Sequence, residues 1–444
     1  MLIYLVALAA LFGLLFGFDE GVIAGALPHI TQVFDISAGE EGFMTASVPL
    51  GAVAGAIVAA VFADRLGRRL VLFLCSVLFA IGAIASGLSH NEWMLIFARL
   101  ILGIAIGASA MAAPMFLAEL APARHRGAIV SAFQLMITVG ILVSYLLSYA
   151  LDPLGAWRWM LGLGAVPAVI CLLGILRAPE SPRWLAMRGR TGEAQEVIAA
   201  VQPHLTDEET RRIVDDIVHS HSVETHTSGW RAFLSDEVRP IVFFTIAAFL
   251  LQQVSGINAI IYYAPTIMGH AGFDGITTQL AATVGVGVVN VLLTIVAMYA
   301  VDKFGRRPLF IIGFIGTAIS LAVIAVTMME STPHLAPVAL VGLFAYIAFF
   351  AISLGPLPWL YMSELFPLAL RSKGMAMASV ANWSCNFLVV FLFPVVVLYF
   401  GAAATFAIFC AFCTIGAIYA WRYAPETKGV TLEDIEKQHA MAAA

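Results

Sequence analysis

Ala63-Asp64-Arg65-Leu66-Gly67-Arg68-Arg69 recurs as Val301-Asp302-Lys303-Phe304-Gly305-Arg306-Arg307, and each copy stands between two long apolar blocks. Two more pairs follow in the same order. Ala118-Glu119-Leu120-Ala121-Pro122, with Arg126 and Gly127 after it, returns as Ser363-Glu364-Leu365-Phe366-Pro367, with Arg371 and Gly374 after it. Pro179-Glu180-Ser181 returns as Pro425-Glu426-Thr427. Asp302 follows Asp64 by 238 residues, Glu364 follows Glu119 by 245 and Glu426 follows Glu180 by 246. Three motifs in one order at nearly one offset mark a duplicated chain of two similar halves.

The blocks around these motifs decide what the halves are made of. Of 444 residues, 61% are hydrophobic and 11% charged, whereas a soluble globular chain carries about 25% charged residues. So few charges cannot coat a water-soluble particle of this size. Apolar blocks near 20 residues match a hydrocarbon layer of about 30 Å at 1.5 Å per helical residue. Counting between charged or turn-rich breaks predicts twelve such blocks, near 2–27, 42–63, 70–88, 93–117, 128–151, 157–177, 239–265, 277–301, 308–329, 336–362, 375–399 and 401–422. Backbone groups in lipid must be satisfied within the segment, so each block is expected to be helical. A membrane β-barrel would need short alternating segments and is excluded by these continuous runs.

Basic residues set the orientation. Of the 23 Lys and Arg, all but Arg99 and Arg158 fall in alternate connections: 63–70, 118–127, 177–239, 302–307, 364–374 and the C-terminal stretch. Lys and Arg collect on the cytoplasmic side, which predicts a multi-pass protein of the bacterial inner membrane with both termini cytoplasmic. The first block has no basic stretch before it and no cleavage site, so it is expected to stay as a span. Cys75, Cys171, Cys385, Cys410 and Cys413 all lie in apolar blocks and read as small core residues.

The one long polar stretch, 178–238, alternates charges with Val197, Ile198, Val201, Ile213 and Ile217 at helical spacing. It predicts two or three amphipathic helices under the cytoplasmic face. The expected organisation is a six-helix bundle over 1–177, a helical linker over 178–238, a second six-helix bundle over 239–424 and a cytoplasmic tail over 425–444. Two repeated bundles with a site between them are the design of secondary transporters.

Polar groups inside the spans point to what passes. Asp19 lies in the first span and Arg99 in the fourth. An ionisable side chain at mid-membrane costs roughly 2.5–3.5 kcal/mol on insertion scales, so it is paired or functional. Arg99 would hold Asp19 ionised, and protonating Asp19 would release the pair and shift the favoured conformation; a static pair that only packs two helices is the plain alternative. Glu20 is expected to face elsewhere, since helical neighbours point about 100° apart. Gln252, Gln253, Asn258 and Tyr262 crowd the seventh span, with Gln134 on the fifth, Asn290 on the eighth and Asn382 on the eleventh. Neutral amides both donate and accept, as sugar hydroxyls do, without a charge to trap the ligand. Phe16, Trp359 and Trp383 add aromatic faces for the C–H surface of a sugar ring. Gly355-Pro356-Leu357-Pro358 removes backbone donors and predicts a bend in the tenth span.

These motifs carry a resemblance. The Asp-Arg-x-Gly-Arg-Arg loops, Pro-Glu-Ser-Pro-Arg-Trp at 179–184 and Pro-Glu-Thr-Lys-Gly at 425–429 resemble sugar porters of the major facilitator superfamily. Leu14–Leu27 and Gln134–Tyr145 are most similar to its bacterial galactose–proton symporters, and the likeness covers essentially the whole chain. It departs at Ala60 and Met298, where the family pattern has glycine. The resemblance implies an all-α membrane fold of twelve helices in two pseudo-symmetric bundles. It implies a proton-coupling role for Asp19 and Arg99, because facilitative glucose transporters carry asparagine in place of that aspartate. It implies sugar contacts for Phe16, Gln134, Gln252, Gln253, Asn258, Tyr262, Asn290, Trp359, Asn382 and Trp383. Ile141 stands where the family's xylose symporters have glutamine, which argues against xylose. Last, it implies a cytoplasmic gating network of Asp64, Arg65, Arg68, Glu119, Arg126 and Glu180 with Asp302, Arg306, Glu364, Arg371 and Glu426.

No catalytic or metal-ligand spacing is present; His29, His90, His125 and His334 are scattered at span ends, and no phosphate loop points to ATP. The expectation is a proton–monosaccharide symporter, glucose or galactose its substrate, working as a monomer in a lipid bilayer. It needs no cofactor beyond the co-transported proton and binds no nucleic acid. A facilitative sugar uniporter is the closest rival. A transporter-like sensor is disfavoured by the short stretch after Trp421, and an enzyme by the absence of catalytic groups.

Overall fold

A computed structural model describes residues 1–121, 126–224, 230–236, 238–329, 335–366 and 370–428. Among these residues eleven helices are long and apolar enough to cross a membrane. The last, Arg371–Tyr423, is two spans joined at Gly401, whose φ of 80° no helix accepts, so twelve spans result. The first five are Leu2–Phe34, Ala38–Leu66, Arg68–Gly87, Glu92–Leu120 and Arg126–Leu151. The eighth and ninth, Ile276–Phe304 and Arg306–Met329, are likewise unbroken. The first helix runs a full two turns beyond the expected 2–27, to a left-handed Asp35. Local signals start the helices: Ser37 and Glu40 form a reciprocal capping box on the second, and Asn91 caps the fourth through Met94 N.

Three spans are broken. The sixth comprises Trp157–Gly162 and Ala165–Arg177. The seventh, expected as one run, comprises Arg239–Val254, Ile257–Tyr262 and Ala264–His270, with Gly256 at φ 90° between the first two. The tenth runs as Ala336–Phe349, a π-helical turn Phe350–Leu354 and Leu357–Leu365. That is the bend expected from the Gly-Pro-Leu-Pro run. Pro358 cannot donate to Leu354 O, and that orphaned carbonyl takes Gln252 Nε2 at 2.6 Å instead. Helix-breaking residues persist in membranes when a neighbour satisfies the freed group in this way.

Close packing within the first half follows from small residues. Gly13, Gly17, Gly21 and Gly25, four apart on the first span, lie directly against Phe133, Ile137, Ser144 and Ser148 of the fifth, where any Cβ would collide. In lipid, where apolar burial gives little drive, such stripes let helix backbones approach and gain dispersion contact. Among the described residues between 178 and 238 lie three α-helices, Pro182–Met187, Thr191–Val201 and Asp207–Glu224, and a 3-10 helix, Trp230–Leu234. Leu185, Ala186, Ala194, Ile198 and Val214 form a small core of their own there.

The halves meet away from the face that carries the basic loops. Tyr145 Oη of the fifth span donates to Ile261 O of the seventh at 2.9 Å. Phe43 packs edge-on to Phe391 at 6.2 Å, and Gly42 lies against Phe391 O. These contacts close the bundle at the end opposite the basic loops.

Candidate functional site

On the basic face the repeated motifs build the same knot twice. In the first half Arg68 reaches Asp64 and Glu119, each at 3.0 Å, and Glu119 also accepts from Ser181 Oγ. In the second half Arg306 reaches Asp302 at 3.6 Å and Glu364 at 2.9 Å, and Glu364 accepts from Thr427 Oγ1. Glu180 accepts from the backbone N–H of Arg68 and Arg69, at the N-terminus of the third span. Glu426 does the same for Arg306 and Arg307 at the ninth. A carboxylate there satisfies orphan donors and meets the positive end of the helix dipole. Partial burial pushes the Glu426 carboxyl up, but the N–H donors of Arg306, Lys428, Arg307 and Thr427 outweigh it and hold it below the ordinary range.

The described ion pairs of these residues stay within their own half. Arg65 is exposed and contributes its backbone carbonyl, which accepts from Arg188. The side chains of Arg126 and Arg371 lie outside the described residues, as do His125 and His334.

Asp19 and Arg99 are brought together at mid-membrane. Arg99 is fully buried, and its Nη1 lies 3.8 Å from Asp19 Oδ1. The pair is electrostatic without a hydrogen bond: Asp19 Oδ2 and Nε, Nη1 and Nη2 of Arg99 have no hydrogen-bond partner among the described residues. Asp19 also lines a small cavity inside the first half, between the first, third, fourth and sixth spans. Glu20, one residue on, turns to the second half, where Tyr262 Oη donates to its Oε1 at 3.4 Å. Adjacent acids thus face different compartments, the outcome expected from the 100° step.

Three of the amides form one connected group. Asn258 Nδ2 donates to Gln253 Oε1 at 2.7 Å, and Gln253 Nε2 donates to Asn382 Oδ1 at 2.7 Å. Trp383, next to Asn382, lies 5.4 Å from Phe16 of the first half, ring centre to ring centre. Three buried polar atoms in this region have no partner among the described residues: Gln252 Oε1, Trp383 Nε1 and Asn386 Oδ1. Asn290 is buried on the eighth span, Gln134 is half-buried on the fifth, and half-buried Trp359 packs edge-on to Phe249 at 4.9 Å. Asn386 was absent from the sequence reading. Its place one helical turn after Asn382, on the same face, is the signal that could have found it.

A second group also escaped the sequence reading. His29 Nε2, at the far end of the first span, lies 3.0 Å from Asp152 Oδ1. Thr277 Oγ1, at the start of the eighth span, donates to Asp152 Oδ2 at 2.6 Å. Asp152 is buried, so it ties the first and fifth spans to the second half at the end opposite the basic loops.

Residues 5–439 match the family described as "Sugar (and other) transporter". The chain is similar to the D-xylose transporter of Levilactobacillus brevis, 38% identical over 96% of this chain and 93% of that protein. It is similar to the galactose–proton symporter of Escherichia coli K12, 38% identical over 98% of this chain and 94% of that protein. Its fold superposes on the xylose transporter from E. coli in a partially occluded inward-open conformation. The TM-score is 0.86 and the identity 31%, over 97% of this chain and 99% of that one.

Proposed function

Because the chain belongs to the sugar transporter family and has the major facilitator fold, we propose that it carries a hexose, glucose or galactose, across the bacterial inner membrane together with a proton. The observation that carries this reading is the pairing of two compartments on one helix. Phe16 packs on Trp383, whose neighbour Asn382 is linked through Gln253 to Asn258, while Asp19, one turn on, pairs with buried Arg99. Binding of a neutral polyol and titration of an acid are thereby separated by less than one turn of backbone.

In this reading the amides exchange their bonds to one another for bonds to sugar hydroxyls. Gln252 Oε1, Trp383 Nε1 and Asn386 Oδ1 supply one acceptor, one donor and another acceptor without a partner among the described residues. Protonation neutralises Asp19 and leaves Arg99 without its counter-charge, which changes the relative energy of the two conformations. The bundles over 1–177 and 239–424 then rock against each other, with the linker 178–238 and both termini in the cytoplasm. The basic-residue distribution supports that orientation. The Asp152–Thr277 bond is the outer latch of the inward-facing state, and the Arg68 and Arg306 knots are the parts that would meet across the halves when the protein faces outward. One copy contains both compartments, so a monomer suffices.

The test is uptake of a panel of radiolabelled sugars into proteoliposomes, with and without a pH gradient, acid outside. Accumulation of glucose or galactose above the outside concentration, only with the gradient, is expected. Equilibration that ignores the gradient would replace symport with facilitated diffusion.

A further inference from the structure

The cavity beside Asp19 has a composition that simple packing does not explain. It measures about 10 Å³, the room that one water molecule needs. Its walls include Phe79, Ala83, Leu102 and Gly164, together with Asp19 and Ser86, which carry the unpartnered oxygens Oδ2 and Oγ. Both residues are more than nine-tenths buried, and neither atom has a protein partner among the described residues. Several buried helical serines donate to their own helix, as Ser76 does to Leu72 O and Ser144 to Ile141 O. Ser86, like Ser148 and Ser379, has no such bond among the described residues, and of these three it is the one that lines a cavity with Asp19. Two buried oxygens left open to one water-sized space are the partners a trapped water requires.

We propose that this cavity holds a single water that delivers the transported proton to Asp19 Oδ2, with Ser86 as the residue that positions it. The inference rests on the symport reading above. Ser86 lies on the last turn of the third span, one residue before its end, and Ser89 Oγ in the connection beyond donates to Ser86 O. In the proposed orientation that end faces the outside, the side from which the proton comes. The route runs on the first-half face of the first span, whereas the sugar amides lie on its other side.

A proton arriving from the outside adds to the trapped water, and one of the three hydrogens then passes to Oδ2. Water is regenerated, Asp19 becomes neutral, and nothing is oxidised or reduced. The charged and titratable groups facing Asp19 are Arg99 from the fourth span, Glu20 beside it on the first, and Tyr262 from the seventh. The third and sixth spans present no titratable side chain to the cavity. Access from their side therefore depends on water and the Ser86 hydroxyl.

The experiment compares two rates in proteoliposomes: sugar uptake driven by a pH gradient, and sugar exchange between equilibrated pools. Ser86→Ala removes the hydroxyl, and Ala83→Val crowds the cavity while leaving the Asp19 and Arg99 side chains themselves unaltered. Each is expected to slow gradient-driven uptake roughly tenfold, less than the 10²–10⁴ typical of a group that itself transfers the proton. Exchange should stay at the wild-type rate, and Ser86→Thr, which keeps a hydroxyl, should restore uptake. Wild-type gradient-driven uptake in both variants overturns the proposal. So does a parallel fall of exchange and uptake, which would mark a packing role. A wild-type protein that ignores the gradient brings down the symport reading itself, and this inference with it.

Discussion

Replacing Thr277 by valine removes one hydroxyl and almost no volume, and it cuts the hydrogen bond by which Asp152 holds the second half. The bond is 2.6 Å long and its acceptor carboxylate is buried. Hydrogen bonds to charged groups contribute about 1.5–3 kcal/mol, more where loss leaves a buried acceptor unsatisfied. When the outer end opens, Asp152 regains water, so the loss falls almost wholly on the closed state. The ratio of outer-closed to outer-open protein should then drop roughly 10- to 150-fold, at about 1.4 kcal/mol per factor of ten. Conformations of a transporter differ by a few kcal/mol, so a shift of that size is visible. Spin labels at Leu154 and Phe400, 76% and 69% exposed at the outer ends of the two halves, would report it as a longer distance by electron–electron resonance. An Asp152→Ala background should abolish the effect of Thr277→Val. A distance distribution in Thr277→Val identical to wild type would refute the latch.

Asp19→Asn should abolish accumulation above equilibrium and leave exchange between equilibrated pools; active uptake in that variant would show that the coupling lies elsewhere. Gln253→Ala or Asn258→Ala should weaken hexose binding by about 1–2 kcal/mol, roughly 5- to 30-fold, without loss of folded protein, and calorimetry on purified protein measures it. The Glu426 carboxyl is held below the ordinary value of 4.5, so its contribution to stability is complete above that pH and fades as the group protonates below it. Glu426→Gln should therefore melt earlier than wild type at pH 7, and the gap should close as the pH falls below 4.5. A gap that does not change with pH contradicts the assignment.

The spans and the duplication were legible because each is carried by local composition and by repeated short motifs. The boundary between the blocks 375–399 and 401–422 was legible, and the non-helical Gly401 lies at it. The break at Gly256 was not legible, since glycine is common in unbroken membrane helices and the Phe409 ring that leaves no room for a Cβ there comes from a distant span. The i,i+4 pairs Asp64–Arg68 and Asp302–Arg306 are written in the spacing, whereas Glu119 and Glu364 come from other helices and needed the fold. The sequence showed that Asp19 and Glu20 must diverge, but not which one turns toward the second half. His29, Asp152 and Thr277 are more than 100 residues apart from one another, and no motif links them. Their meeting is purely tertiary.

The glycine stripe at 13, 17, 21 and 25 fixes how the first span rolls against the fifth, and with it the two directions in which Phe16 and Asp19 point. Engine and cargo bay, set about 60° apart around the helix at Asp19 and Phe16, are therefore mounted on one rod whose rotation is locked. Redesigning the bay for a different passenger, by exchanging Gln253, Asn258 or Asn382, leaves the mounting of the engine untouched. A single alanine at Gly17 would turn the rod and disturb both together.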